Sequence, residues 1–170
     1  EKIYVLPGNG GIANDAECVD IGAKDIEKIT AFAKDNNIDF AVVAPDDPLV
    51  LGAVDELNKI GVPCFGPDKK AAIIEGSKVF SKNLMKKYNI PTAAYEVFEN
   101  ADDALKYLET APIPTVIKAD GLALGKGVII AKTRDEAKEA VKTIMQDKIF
   151  GASGNSVVIE EFLEGPEVSV

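Results

Sequence analysis

Lys118, Gly121, Gly125, Lys126 and Gly127 fall within one ten-residue window. Glycines let a backbone turn through positive φ and come close to a ligand. Exposed backbone N–H groups beside two ammonium groups suit a polyphosphate. The β-branched apolar residues Val116 and Ile117 precede the window, and Val128, Ile129 and Ile130 close it. Residues 115–130 therefore read as strand, glycine-rich loop, strand. A P-loop needs one more residue between its glycines, a Ser or Thr after the lysine, and a following helix. A dinucleotide fingerprint also leads into a helix. In protein kinases the lysine lies on a strand after the loop, whereas Lys118 comes before it. The same stretch also suits a plain hairpin with solvated lysines.

Other residues could join this loop. Lys78 follows Ser77, a good helix cap, and opens a helix over residues 78–88. Lys118 closes an apolar strand, where a buried ammonium needs a phosphate or a carboxylate. The apolar run of residues 157–159 leads into an acidic, turn-prone segment with Glu160, Glu161, Leu163 and Glu167. Backbone groups there could read an adenine edge, and a carboxylate could accept ribose hydroxyls; a solvated turn is the simpler reading. Near the start, Gly8, Asn9, Gly10 and Gly11 follow a strand over residues 3–6, a place where open α/β sheets bind ligands. Pro45, Asp46 and Asp47 follow the apolar strand of residues 40–44, which reads as buried on both faces. Those two aspartates suit either a helix cap or a substrate contact.

The composition narrows the chemistry. The chain has 170 residues, a net charge of −9 and no histidine. Histidine metal sites, histidine bases and histidine triads are thereby removed, leaving Lys, Asp, Glu, Arg and the backbone. The acidic balance argues against a nucleic-acid partner but not against ATP, which needs only local positive charge. No apolar run approaches a membrane span, and no signal peptide is visible. Cys18 and Cys64 have no paired spacing and read as reduced thiols, so a cytoplasmic location is expected.

The elements that must position these residues follow from periodicity. A helix over residues 23–37 buries Ile26, Ile29, Phe32 and Ala33. One helix is expected over residues 49–60, stopped by Gly61, then a strand over 62–65. Strand–helix–strand order with short links implies a parallel sheet. A short helix over 69–74 follows, and the domain boundary is placed at 70/71. Beyond it the pattern gives a strand over 95–98, helices over 101–109 and 134–146, and a strand over 157–161. Gly151 and Gly154 mark a flexible segment. The ends lack capping turns, so the chain reads as an excerpt cut at both ends.

In this order and spacing the motifs resemble the ATP-grasp fold, and within it the phosphoribosylamine–glycine ligase family. The stretches that carry the resemblance are Pro7-Gly8-Asn9-Gly10-Gly11, Phe65-Gly66-Pro67, Glu75-Gly76-Ser77-Lys78, Asn89-Ile90-Pro91-Thr92-Ala93, Lys118-Ala119-Asp120-Gly121-Leu122-Ala123-Leu124-Gly125-Lys126-Gly127 and Ile159-Glu160-Glu161-Phe162-Leu163. The chain departs from the family in two ways. Ala44-Pro45-Asp46 stands for the family's Gly-Pro-Glu, and the family's opening βα unit and the second half of its ATP-grasp domain are absent.

The fold class implied is α/β: a partial Rossmann-like parallel-sheet domain (1–70) followed by the first part of an ATP-grasp domain (71–170). The resemblance implies ATP-dependent ligation of glycine to 5-phosphoribosylamine through glycyl phosphate, in purine biosynthesis. It implies that Lys78 and Lys118 contact ATP phosphates and that the loop from Asp120 through Gly121, Gly125 and Lys126 to Gly127 closes over them. Glu160, Glu161 and Leu163 would hold adenine and Glu167 the ribose. Gly8, Asn9, Gly10, Gly11, Pro45 and Asp46 would face phosphoribosylamine. Mg²⁺ is expected with the nucleotide, its ligands lying in the absent half, and the excerpt alone would not turn over. Another carboxylate–amine ligase, or a nucleotide-binding module without catalysis, would share the lysines and the loop.

Overall fold

The computed structural model describes residues 2–122 and 127–168. The chain divides into two compact units, 1–76 and 77–170.

The first unit holds β1 (Tyr4–Val5), β2 (Glu17–Cys18), α1 (Ile26–Asp35), β3 (Ala41–Val42), α2 (Asp46–Leu51), α3 (Ala53–Lys59), β4 (Cys64–Phe65) and α4 (Lys69–Gly76). β1 pairs with β2 and β3 with β4, both in parallel. The parallel pairing expected from the strand–helix alternation is therefore present. Ala33, Leu49, Val54, Leu57 and Ala72 form part of one buried cluster.

Three features differ from expectation. The helix expected over 49–60 is two helices, and the first begins at Asp46. Pro48 does not prevent this, because a proline in a helix's first turn replaces an N–H that has no intrahelical partner anyway. Gly52, at φ 94°, ends α2 in the left-handed region and starts α3. The strand over 40–44, expected to be buried on both faces, is not: Val42 is 66% exposed, and Phe65 opposite it on β4 is 68% exposed. In this unit the helices cover one side of that pair, where Val43 is buried. Finally, the division lies at Gly76–Ser77 rather than at 70/71. α4 runs on to Gly76 and buries Ala72 in the first unit's core, while Gly76 packs on Val50.

The second unit holds α5 (Lys78–Lys87), β5 (Tyr95–Phe98), α6 (Ala101–Tyr107), β6 (Thr115–Ala119), β7 (Val128–Ala131), α7 (Arg134–Val141) and β8 (Val157–Glu161). Its four strands form one antiparallel sheet in the order β5-β8-β6-β7. Ile117 is the pivot of the register, opposite Ile129 on one side and Ile159 on the other. Strand side chains alternate between faces. Ile117, Ala119, Val157 and Ile159 join Ala137, Val141 and Ile144 in the core under α6 and α7. The even-numbered residues Lys118 and Glu160 are thereby sent to the opposite face.

Asn100 and Thr133 cap α6 and α7 by accepting backbone N–H groups. The helix expected to run evenly to residue 146 widens into a π-turn over Lys142–Gln146. The segment expected to be flexible is a 3₁₀ turn over Gly151–Asn155. A Cβ on Gly154 would stand 2.1 Å from the Ile144 carbonyl oxygen. Glycine is there for close packing against the π-turn, not for mobility.

Candidate functional site

Helix α5 begins the site in the second unit. Ser77 has extended backbone and accepts the Phe80 N–H on its hydroxyl, at 3.0 Å. Its own O–H lies 3.1 Å from Asp120 Oδ1, which also accepts the Val79 N–H at 3.2 Å. The carboxylate of Asp120 thus caps the helix N-terminus from the far end of β6, where N–H groups lack partners and negative charge is favoured. Lys78 donates to the Gly121 carbonyl at 2.8 Å. Gly121 has φ 83°, in the region that favours glycine. The entrance of the glycine loop is therefore tied to the start of α5. The loop's other end is set by the Gly127 carbonyl, which accepts the Ala119 N–H at 2.8 Å. Gly125 and Lys126 lie outside the described residues.

One strand position back, Lys118 Nζ lies 2.8 Å from Glu160 Oε2. The sequence expectation that this lysine pairs with a phosphate or a carboxylate is met by a carboxylate. Register makes the pair: Lys118 stands opposite Val158 and Glu160 opposite Val116. The two are diagonal neighbours on one face, within reach of long side chains. Glu160 is 5% exposed, and its Oε1 has no hydrogen-bond partner among the described residues.

A residue that the motif reading missed also meets Glu160. Lys82, only 6% exposed, places Nζ 3.2 Å from the same Oε2. It also donates to Thr92 Oγ1 at 2.7 Å. Lys82 lies four residues after Lys78 on α5, so both lysines share a helix face. That spacing was the available signal; it is masked by the other lysines of the same helix.

The remaining expected residues are placed as follows. Glu161 Oε2 accepts the Ala94 N–H at 3.2 Å, while the Glu161 N–H donates to the Ala94 carbonyl. Its carboxylate therefore extends the β5–β8 ladder. Leu163 and Glu167 are exposed on the segment after β8. Among the described residues no group of three or more His, Cys, Asp or Glu side chains could hold a metal ion. No helix of the described residues is long and apolar enough to cross a membrane.

In the first unit, the glycine loop after β1 is internally organised. Asn9 Oδ1 accepts from the N–H groups of Gly11 at 2.9 Å and Ile12 at 3.0 Å. Gly8, at φ 76°, could carry no side chain, because a Cβ would stand 2.3 Å from Cys18 Sγ. Gly10 is exposed, with open space where a Cβ would be. Pro45 occupies the cap of α2 without a side-chain bond, and Asp46 and Asp47 fall in the first turn. Asp47 pairs with Lys24 at 2.9 Å, and Asp46 is exposed.

In the second unit the helix-start Lys78 holds the positive-φ Gly121 turn, and Lys118 stands on the strand that leads into it, which is the type of positive charge an anion requires. The chain is 51% identical over its whole length to phosphoribosylamine–glycine ligase of Caldanaerobacter subterraneus, and 50% identical to that of Clostridium acetobutylicum. It spans 41% of the length of each. The crystal structure of phosphoribosylamine–glycine ligase from Thermotoga maritima superposes with a TM-score of 0.78 at 31% identity, over 97% of this chain and 39% of that one. N5-carboxyaminoimidazole ribonucleotide synthetase from Thermus thermophilus shares the fold, with a TM-score of 0.69 at 19% identity, over 96% of this chain and 41% of that one. The model of the phosphoribosylglycinamide synthetase N domain matches residues 1–75, and that of its ATP-grasp (A) domain residues 76–170. The α/β fold is thus an N-terminal parallel-sheet unit followed by the start of an ATP-grasp domain, and the chain belongs to the phosphoribosylglycinamide synthetase family.

Proposed function

We propose that this chain serves the ATP-dependent ligation of glycine to 5-phosphoribosylamine, giving glycinamide ribonucleotide, ADP and phosphate. The observation that carries the reading is the partly exposed ammonium of Lys118, held by Glu160 on the strand that leads into the glycine turn that Lys78 grips. Family membership supplies the substrates.

In the reaction, a glycine carboxylate oxygen bonds to the γ-phosphorus of ATP as the bond from that phosphorus to ADP breaks. The amine of phosphoribosylamine then attacks the acyl carbon, phosphate leaves with its oxygen, and the nitrogen gives up a proton. No protein nucleophile is required. Catalysis is positioning and charge neutralisation. Lys78 and Lys118 would neutralise phosphate oxygens, and the loop from Asp120 and Gly121 to Gly125, Lys126 and Gly127 would cover them. Glu160, Glu161 and Leu163 would border the adenine and Glu167 the ribose. Gly8, Asn9, Gly10, Gly11, Pro45 and Asp46 would border phosphoribosylamine. Mg²⁺ enters as the nucleotide's counter-ion. The described residues offer it no group of three or more His, Cys, Asp or Glu ligands. A cytoplasmic setting goes with this chemistry and with the two free cysteines.

The test is ADP release by the complete gene product carrying this chain, with Mg-ATP, glycine and phosphoribosylamine generated in situ. Release that needs both co-substrates, and falls about a hundredfold or more in Lys118→Ala as for loss of one transition-state charge contact, is the expected result. Release that ignores them, or needs another carboxylate or amine, overturns the assignment.

A further inference from the structure

Lys82 and Lys118 do not hold Glu160 in the same way. Lys82 comes from the first turns of α5 and its side chain is 8% exposed. It is fixed by Thr92 Oγ1 at 2.7 Å and the Ala93 carbonyl at 3.4 Å, with its Nζ 5.4 Å from the Tyr95 ring centroid. Lys118 comes from the last turn of the pleat before the glycine loop, and its side chain is 27% exposed. Both ammonium groups converge on Oε2, while the buried Oε1 has no hydrogen-bond partner among the described residues. Oε2 and its two cations therefore carry the compensation for a carboxylate that is 5% exposed.

A buried carboxylate that loses its only cation is strongly destabilised. A lysine that is the sole partner of such a group cannot leave it for a ligand without that penalty. With two cations the penalty is avoided, provided that one stays. Burial and three additional contacts mark Lys82 as the one that stays. Partial exposure beside the glycine turn marks Lys118 as the one that can go.

We propose that Lys82 is a positioning residue, the resident cation of Glu160, whose presence lets Lys118 exchange its carboxylate contact for a polyphosphate oxygen. The proposal rests on the nucleotide reading of Lys118. Lys82 itself touches no substrate. It acts through Glu160, and it keeps the face of the sheet one positive charge richer than a simple ion pair would.

The experiment reads the reactivity of Lys118 toward an acetylating reagent, by peptide mass spectrometry on the folded chain without ligand. An amine that a carboxylate holds undivided is less available to the reagent than one that shares that carboxylate with a second cation. In Lys82→Gln and Lys82→Met, Lys118 should label roughly threefold more slowly or less, because Glu160 then holds it alone. General loosening of the fold would have the opposite effect, so equal or faster labelling overturns the proposal. Lys82→Arg keeps a cation and should restore the wild-type rate; a rate as slow as that of Lys82→Gln overturns it too. If the neutral variants do not fold, a Lys82→Arg rate roughly threefold below that of the wild type still overturns the proposal.

In the complete gene product, Lys82→Gln should raise the KM for Mg-ATP on the order of tenfold, equivalent to one lost charge contact, with kcat within about threefold. A proportional fall in kcat with KM unchanged overturns the positioning role. If Lys118→Ala leaves the KM for Mg-ATP unchanged, it is the nucleotide reading that fails, and the labelling result stands on its own.

Discussion

Asp120, at the end of β6, accepts the backbone N–H of Val79 at 3.2 Å, across 41 residues of sequence. A side chain that opens the glycine loop is thus also part of the cap of α5, alongside Ser77. The motif reading assigned Asp120 to the loop's covering role. Its carboxylate is also engaged by the helix that carries Lys78 and Lys82.

Replacing Asp120 with alanine should therefore cost stability as well as any effect on binding. It leaves the Val79 N–H and the Ser77 hydroxyl without this acceptor, worth about 2 kcal/mol for charge-assisted bonds in a half-buried setting. Asp120→Asn retains one acceptor oxygen and should lose less than half as much. Urea unfolding of the chain measures both. An alanine variant within about 0.5 kcal/mol of wild type, the ordinary range for an uninvolved surface site, would show that the cap does not depend on Asp120.

Gly154 gives a second prediction. Its Cβ position is 2.1 Å from the Ile144 carbonyl oxygen, a backbone atom that cannot rotate away. Gly154→Ala should destabilise the second unit by about 3 kcal/mol, the cost of forcing a packed backbone apart. Gly151 is the control. It has φ 58° but open space around its Cβ position, so Gly151→Ala should cost only about 1 kcal/mol of left-handed strain. Thermal unfolding of the two variants should rank them in that order.

The pair of Lys138 with Glu109, at 2.6 Å, gives a pH dependence. The hydrogen bond from Lys138 holds the Glu109 carboxyl below its ordinary value of 4.5, aided by the charges of Lys138 and Arg134. A depressed folded-state value means that the unfolded chain binds the proton more readily. The contribution is then present above about pH 4.5 and is lost as the pH falls through the folded-state value. The stability difference between wild type and Lys138→Met should accordingly be constant near neutrality and shrink on acidification. The effect is small, because the pair is exposed. A difference that grows on acidification would contradict the assignment.

How far the sequence could be read depended on the range of the forces involved. Local signals served well. Ser77 before Lys78 marked a cap that the structure forms, and the β-branched runs marked β5, β6, β7 and β8. Ala137, Ala140, Val141, Ile144 and Met145 recur at helical spacing in the sequence, and all five are buried.

Non-local effects were not visible in the same way. Lys82 sits in the run Lys78-Val79-Phe80-Ser81-Lys82-Asn83, whose lysines look alike until a sheet is laid against one face. The start of α2 three residues before the expected position 49 shows the same limit, since Pro48 is compatible with a first turn. The two glycines of the segment after α7 suggested mobility, but one of them is required by contact with the Ile144 carbonyl, far outside any local window. The exposure of Val42 and Phe65 likewise depends on what the unit lays against each side of a strand pair.

The alternation of β6 has a consequence for how this sequence can vary. Ile117 and Ala119 point into the apolar layer, and Lys118 stands on the other side of the same strand. Parity ties the placement of the ammonium to the placement of Ile117. An insertion or deletion of a single codon within β6 would turn Lys118 into the hydrocarbon interior and Ile117 toward Glu160. The folding core would reject that change before any selection on catalysis could act. Only even-numbered slips preserve the sidedness, and each moves the ammonium about 6.6 Å along the strand, out of reach of its carboxylate. The interior therefore acts as a reading-frame check on the position of the charge.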